Sequence, residues 1–317
     1  LSSIPVIDTL VLSRLFNPNR DGGHSLEKWG YKLGYHKIDF SDYLNYSEDM
    51  LTYCIRDVNL NMVVLKELRK ESKGFGRECI DIEQKIAGII KQQETNGFKF
   101  DTEHGLVLLA ELREKKQAIE DEVHSTFKPK WVDDKVVTPY VRKDGQLSKR
   151  GLTDDEYARC LNTLDFSPFM RQSLQEFNLG SRKQIGEYLI DFGWKPDRFT
   201  PTGQPIVDEK TLSAITHIHE ANLIAQFLLL QKRIAQIDSW IEATEEDGRV
   251  HGFVIPNGAI TGRMTHRSPN MAQVPSSHSP YGKECRACWI VEDNNVLLGV
   301  DASGLEIRML AHYMNDE

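Results

Sequence analysis

No run of apolar residues in the 317-residue chain approaches the length a helix needs to cross a bilayer, which argues against a membrane span. The first residues, Leu1-Ser2-Ser3-Ile4-Pro5, lack a basic stretch ahead of an apolar one, so no signal peptide is expected. Cysteine is scarce: five residues, an odd number without the even spacing of a secreted framework, fit a reducing cytoplasm. Cys285 and Cys288 form a lone CxxC with no second cysteine pair and no spaced histidine pair. It is open to two readings, a zinc half-site or, more simply, two small apolar residues on a strand. No internal repeat or low-complexity tract is present.

One further absence is local. The net charge is −8, yet from His251 to Lys283 there is no Asp or Glu at all. That window holds Arg263, His266, Arg267, His278 and Lys283, and Arg286 follows it. Net charge governs solubility and long-range steering, whereas binding a polyanion needs only a local basic face, and this window supplies one. A solvated polar loop is the bland alternative.

The length allows two or three domains. Ser25 precedes Leu26, Trp29 and Leu33 at helical spacing. A second helix is predicted from Ser47 to about Leu68, with Glu48 and Asp49 in its first turn and Met50, Leu51, Cys54, Ile55 and Val58 on a buried face. Two long helices follow. One spans about Asp81 to Thr95 and stops at Asn96-Gly97; the other, capped by Asp101 or Thr102, runs to about Phe127 with a seam of Leu106, Leu109, Leu112, Ile119 and Val123. Residues 128 to about 176 lose periodicity and read as an insertion with one short helix opened by Thr153. Helices are predicted again over Arg182–Phe192 and Thr211–Thr244, separated by a Pro/Thr/Gly loop. The last section reads as strands over His251–Ile260, Ala287–Val291 and the apolar run Val296–Val300, the last fully buried, then a helix from about Ser303.

Asp301 stands where that last strand turns into a helix. A carboxylate held there by backbone could ligate a divalent cation, and paired cations drive nucleotidyl transfer. Ala302 and Gly304 leave room for a phosphate chain to approach. A simple helix cap accounts for Asp301 equally well. Glu306 lies among Leu305, Ile307, Met309 and Leu310, where an acid is costly unless it has a partner or a task.

The segment Val300-Asp301-Ala302-Ser303-Gly304-Leu305-Glu306-Ile307-Arg308 resembles motif A of the family A DNA polymerases, in the form used by short-tailed phages. Thr261-Gly262-Arg263-Met264-Thr265-His266, Pro269 to Pro275, and Ser279 to Arg286 resemble the same family's palm signatures, in its order. Upstream, Asn178–Gln184 with Thr202-Gly203 resembles the thumb-to-palm region. Asp8 to Leu15 and Ser25 to Gly30 resemble the later half of a proofreading exonuclease domain, whose last motif, Tyr-x-x-x-Asp, matches Tyr53 and Asp57. Residues four apart share a helix face, which suits a phenol and a carboxylate acting together.

The resemblance implies a mixed α/β, multi-domain fold. Residues 1–78 would be the C-terminal part of an RNase H-like exonuclease domain. Residues 79–250 would be a helical thumb with the insertion at about 128–176, and residues 251–317 the start of an antiparallel palm sheet. It implies DNA-templated DNA synthesis with 3'-5' proofreading, in the host cytoplasm for a phage protein. Asp301 and the Ala302 carbonyl would ligate Mg2+, Glu306 would exclude a ribose 2'-hydroxyl, Asp57 would be an exonuclease metal ligand, and Tyr53 would place its water. Arg263, His266, Gln273, Arg286, Lys232 and Arg233 would face primer-template DNA and the incoming dNTP. The insertion would be a candidate contact for host thioredoxin. An Asp-x-Glu, a middle exonuclease aspartate, a fingers helix and a second palm aspartate have no match in the chain, so by itself it is expected to be inactive in both reactions. A free-standing 3'-5' exonuclease, a non-catalytic DNA-binding module and a single-subunit RNA polymerase are the rival readings.

Overall fold

Side-chain oxygens placed just ahead of apolar periodic runs start most of the helices. The computed structural model describes residues 6–315; the reading of the first five residues lies outside them. In chain order the elements are α1 (Thr9–Phe16), α2 (Leu26–Leu33), α3 (Glu48–Glu71), α4 (Arg77–Asn96), β1 (Phe98–Lys99), α5 (Thr102–Thr126), β2 (Lys130–Val137), α6 (Asp154–Thr163) and β3 (Phe169–Gln175). Then come α7 (Arg182–Asp191), α8 (Glu209–Ser213), α9 (His219–Glu242), β4 (Arg249–Val250), β5 (Phe253–Ile255), β6 (Thr265–Arg267), a 3-10 turn (Met271–Gln273), α10 (Gly282–Ala287) and α11 (Leu305–Met314). Asp8, Ser25 and Ser47 each accept a bond from a backbone N–H in the first turn of α1, α2 and α3. Asp101 does the same for His104 in α5 at 2.9 Å, and Thr153 with Glu156 forms a capping box on α6.

The strands make three two-stranded antiparallel sheets, β1–β4, β2–β3 and β5–β6, so the fold is the expected mixture of helix and small antiparallel sheet. The chain divides into two compact units. One comprises residues 1–108 and 237–317, the other residues 109–236.

In the first unit, Leu12, Trp29, Leu60, Val64 and Leu68 build a core from α1, α2 and α3. Arg20 is buried beside it; its guanidinium lies 4.3 Å from the Trp29 ring and makes two bonds to Glu71, at 3.0 and 2.6 Å. A second cluster joins Phe100, Trp240 and Trp289 edge to face. The α4 helix stops at Gly97, whose φ of +62° suits glycine; a Cβ there would come within 2.8 Å of the His251 ring.

In the second unit, Val123, Phe127, Phe177, Ile185, Leu189, Leu212, Ile224 and Phe227 belong to one core that joins α5, α7, α8 and α9. The antiparallel β2–β3 pair runs from Lys130↔Gln175 to Val137↔Phe169, with an irregularity between Asp133 and Lys135.

Several expectations are corrected. On α3 the buried side chains are Leu60, Val64 and Leu68, whereas Leu51, Cys54, Ile55 and Val58 are exposed; in the first half of the helix it is Tyr53, Arg56 and Asp57 that are covered, by the segment before α3. Leu106 is likewise exposed, outside the α5 seam. The predicted helix over Thr211–Thr244 is broken at residues 214–218, where β-branched Ile215, Thr216 and Ile218 disfavour continuation and the two isoleucines are buried in the irregular connection. Residues 128–176 contain an antiparallel strand pair, β2 and β3, on either side of the short helix α6 in the chain. Ala287–Val291 is not a strand: α10 ends at Ala287, and a single bridge joins Trp289 to Phe100. Val296–Val300 is neither a strand nor buried, with Val296, Leu298 and Val300 more than 80% exposed. An apolar run becomes a buried strand only where a neighbouring strand and a covering layer exist, and among the described residues nothing pairs with it.

Candidate active-site residues and their surroundings

Tyr53 and Asp57 lie on α3 one turn apart. Lys37, from the irregular segment between α2 and α3, reaches both. Its ammonium is 2.8 Å from Asp57 Oδ2 and donates to Tyr53 Oη at 3.1 Å. The bond to Asp57, with help from Tyr53, raises the lysine pKa above its ordinary value. Phe40 stacks on the Tyr53 ring at 5.3 Å and Tyr43 meets it edge-on at 6.0 Å. Asp57 Oδ1 is buried and has no hydrogen-bond partner among the described residues. Asp57 also lines a cleft of about 420 Å³ with Thr9, His24, Trp29 and Asn61. A buried, orphaned carboxylate oxygen is suited to a cation, but here it is a single carboxylate.

The second cluster joins two segments far apart in the chain. Arg263, in the turn between β5 and β6, donates to Glu306 Oε1 at 3.0 Å, and Glu306 sits in the first turn of α11. Both side chains are about three-quarters exposed. Asp301 and Ala302 precede α11 in an exposed, irregular segment. Asp301 has the right donor chemistry for a hard cation. Among the described residues, however, no group of three or more His, Cys, Asp or Glu comes together to hold a metal ion. Cys285 and Cys288 are buried at α10 rather than on a strand, and burial pushes the Cys288 thiol up to about 12.

The basic residues separate into groups. His266 and Arg286 line one cleft of about 320 Å³ whose apolar wall includes Phe98, Val254, Met271 and Trp289. Arg286 is exposed and anchored by its Nε to the Pro275 carbonyl at 2.8 Å. Gln273 is exposed on the 3-10 turn. On α9, Lys232 is exposed but Arg233 is buried and donates to Gln236 Oε1 at 2.9 Å. Of that pair, Lys232 presents its charge to solvent.

A family model described as DNA polymerase family A matches residues 153–317, more than half of the chain. The chain belongs to DNA polymerase family A. The DNA-directed DNA polymerase of Escherichia phage T7 is 31% identical over an alignment that covers 97% of this chain and 57% of that protein. The corresponding polymerase of Enterobacteria phage T3 has the same identity and coverage. The chain thus spans a little over half the length of these relatives. Among solved structures, the POL domain of Pol1 from M. smegmatis, in complex with DNA primer-template and dNTP, superposes with a TM-score of 0.69. It covers 98% of this chain and 46% of that one at 16% identity, a likeness of fold.

Within this family A chain, Arg263 meets Glu306 and Tyr53 lies beside Asp57; Asp301 stands apart as a lone exposed carboxylate. Sequence reasoning missed Lys37. It lies in no motif, and its only sequence signal is a lysine in a short aromatic-rich segment, Tyr35 to Tyr46. No helix is long and apolar enough to cross a membrane among the described residues.

Proposed function

We propose that the whole protein is a DNA-templated DNA polymerase that acts in the cytoplasm of a phage-infected host, with 3'-5' excision as its second activity. The observation that carries the reading is the family A match over residues 153–317, which contains both ends of the Arg263–Glu306 bond. On this reading residues 1–78 belong to the exonuclease domain, 79–250 to the thumb and 251–317 to the palm. Primer-template DNA would lie against Arg263, Arg286, Gln273, His266 and Lys232, whose charges offset phosphate repulsion and make binding salt-dependent. Arg233, buried on α9, would act by supporting that helix. The carboxylate of Glu306 fills space beside the sugar of an incoming dNTP, where a 2'-hydroxyl would not fit.

Two Mg2+ ions, when bound, supply activation of the attacking oxygen and stabilisation of the leaving one. Asp301 and the Ala302 carbonyl would hold them for synthesis, and Asp57 for excision. One carboxylate in each place does not fix two cations, so the 317-residue chain by itself is expected to do neither reaction. Detectable primer extension by that chain contradicts the expectation.

The test of the reading is primer extension by the whole protein with the four dNTPs and Mg2+. Asp301→Asn should abolish extension while leaving DNA binding intact, and Glu306→Ala should raise ribonucleotide incorporation. Retained extension in Asp301→Asn rejects the assignment. For residues 128–176 host thioredoxin is the candidate partner, with a plain spacer as the alternative. The exposed Trp131, Val136, Met170 and Leu174 on one face of the β2–β3 pair, beside Asp133 and Gln172, support a docking role. Failure to retain thioredoxin in a pull-down would leave this segment as a spacer.

A further inference from the structure

We propose that Lys37 is a positioning residue for 3'-5' excision, holding Asp57 and Tyr53 in one register and turning the Tyr53 hydroxyl hydrogen away from itself. The inference rests on the reading of Tyr53 and Asp57 as excision residues and adds a third group to them.

An ammonium group has three N–H donors and no acceptor. Where it donates to Tyr53 Oη, at 3.1 Å, the phenol can only accept, so its own hydrogen points elsewhere. The same ammonium holds Asp57 Oδ2 at 2.8 Å and leaves Oδ1, buried and unpartnered, as the free face of the carboxylate. One lysine thereby contacts both the phenol and the acid and keeps the phenol hydrogen off the side that faces Asp57 Oδ2.

The segment carrying Lys37 is itself tethered. Tyr35 N–H donates to the Gly30 carbonyl at 2.9 Å, and a Cβ on Gly30 would collide with that neighbouring Tyr35 oxygen. Arg56 donates to the His36 carbonyl at 2.8 Å and stacks on the Tyr35 ring at 3.6 Å. The first bond ties the backbone before Lys37 to α2, and the Arg56 contacts tie it to α3, the helix that carries Tyr53 and Asp57. The ion pair is sheltered, with side chains 25% and 21% exposed, so bulk solvent does not readily scramble it. A surface ion pair present only for stability would not need a tethered loop or a second acceptor.

Two variants test the role, Lys37→Met, which keeps the apolar stem, and Lys37→Arg, which keeps the charge. In the 317-residue chain carrying carbon-13 tyrosine, the ring signal assigned to Tyr53 by Tyr53→Phe should move in Lys37→Met and return towards its place in Lys37→Arg. In the whole protein acting on single-stranded DNA with Mg2+, Lys37→Met should lower the excision kcat about 10- to 100-fold, the usual cost of removing a group that orients a ligand. KM should hold, Lys37→Arg should recover most of the rate, and primer extension should not change. An unchanged or raised kcat in Lys37→Met overturns the proposal, a raised one showing that the ammonium competes for the carboxylate. If Asp57→Ala leaves excision unaffected, the underlying reading of Tyr53 and Asp57 has failed instead, and the proposal with it.

Discussion

Arg263 and Glu306 lie 43 positions apart in the chain, and the guanidinium of one meets the carboxylate of the other at 3.0 Å. Each falls in a different stretch that resembles a family A signature, so the bond joins two segments that sequence alone could only place in order. It is an exposed pair, and exposed pairs contribute about 0–1 kcal/mol, less at high salt. A double-mutant cycle with Arg263→Ala and Glu306→Ala, followed by urea unfolding, should therefore give a coupling below about 1 kcal/mol. In the whole protein, Arg263→Ala should nevertheless impair primer extension beyond what so small a coupling accounts for. A coupling of several kcal/mol would make the pair structural and weaken its assignment to DNA and nucleotide selection.

In the second unit the Arg171 guanidinium binds Glu156 in two places, its Nε at 2.7 Å from Oε1. That bond first, then the Thr153 N–H, lowers the Glu156 pKa from 4.5 to about 2. A depressed carboxylate contributes stability that is complete above its unfolded pKa and is lost as pH falls through the folded one. The window is thus about pH 4.5 down to about 2. Thermal melts across it should fall more steeply in the native chain than in Glu156→Gln. Parallel curves would show that the contact does not persist in solution.

How much of this was legible beforehand depended on whether the signal was local. Ser25, Ser47 and Thr153 announced helix starts because a cap needs only its own backbone. Trp29 and Leu33 were correctly placed in the α2 packing face. The β2–β3 pair escaped because charges sit on both faces, the irregularity after Asp133 shifts the phase of alternation, and a long connection with α6 separates the strands. Val296–Val300 misled for the opposite reason. Its composition is that of a buried strand, but burial is a property of neighbours, and hydropathy does not reveal whether they are present. Tyr53 and Asp57 were visible as a motif. Lys37 was not, since only the folded loop brings it to them.

Core substitutions separate the two units. Leu60 and Leu212 are both fully buried, Leu60 against Trp29 and Leu12, Leu212 in the cluster with Ile185 and Ile224. Leu→Ala at either site should cost about 2–5 kcal/mol, because the removed methyl groups leave a cavity that rigid neighbours fill incompletely. Hydrogen exchange read by mass spectrometry should show protection lost mainly over residues 9–71 for Leu60→Ala and over 123–228 for Leu212→Ala. Uniform loss in both variants would mean that the units unfold as one.

His251 offers the clearest pH signature in the first unit. Its Nδ1 is 2.8 Å from the Glu94 carbonyl oxygen and its Nε2 is 3.1 Å from Asp247 Oδ2. Both neighbours are acceptors, so only the doubly protonated ring can donate to each. The Glu94 carbonyl first, and Asp247 after it, accordingly raise the pKa above 6.5. For a cationic group raised on folding, the added stability is fully present below the unfolded pKa and disappears as pH rises through the folded value. The melting temperature should therefore decline on the alkaline side of 6.5 in the native chain. His251→Gln should remove that slope, because a glutamine amide does not titrate. Were the native and variant curves to keep a constant separation through this range, the ring would be neutral in the folded state, and one of its two hydrogen bonds could not be made.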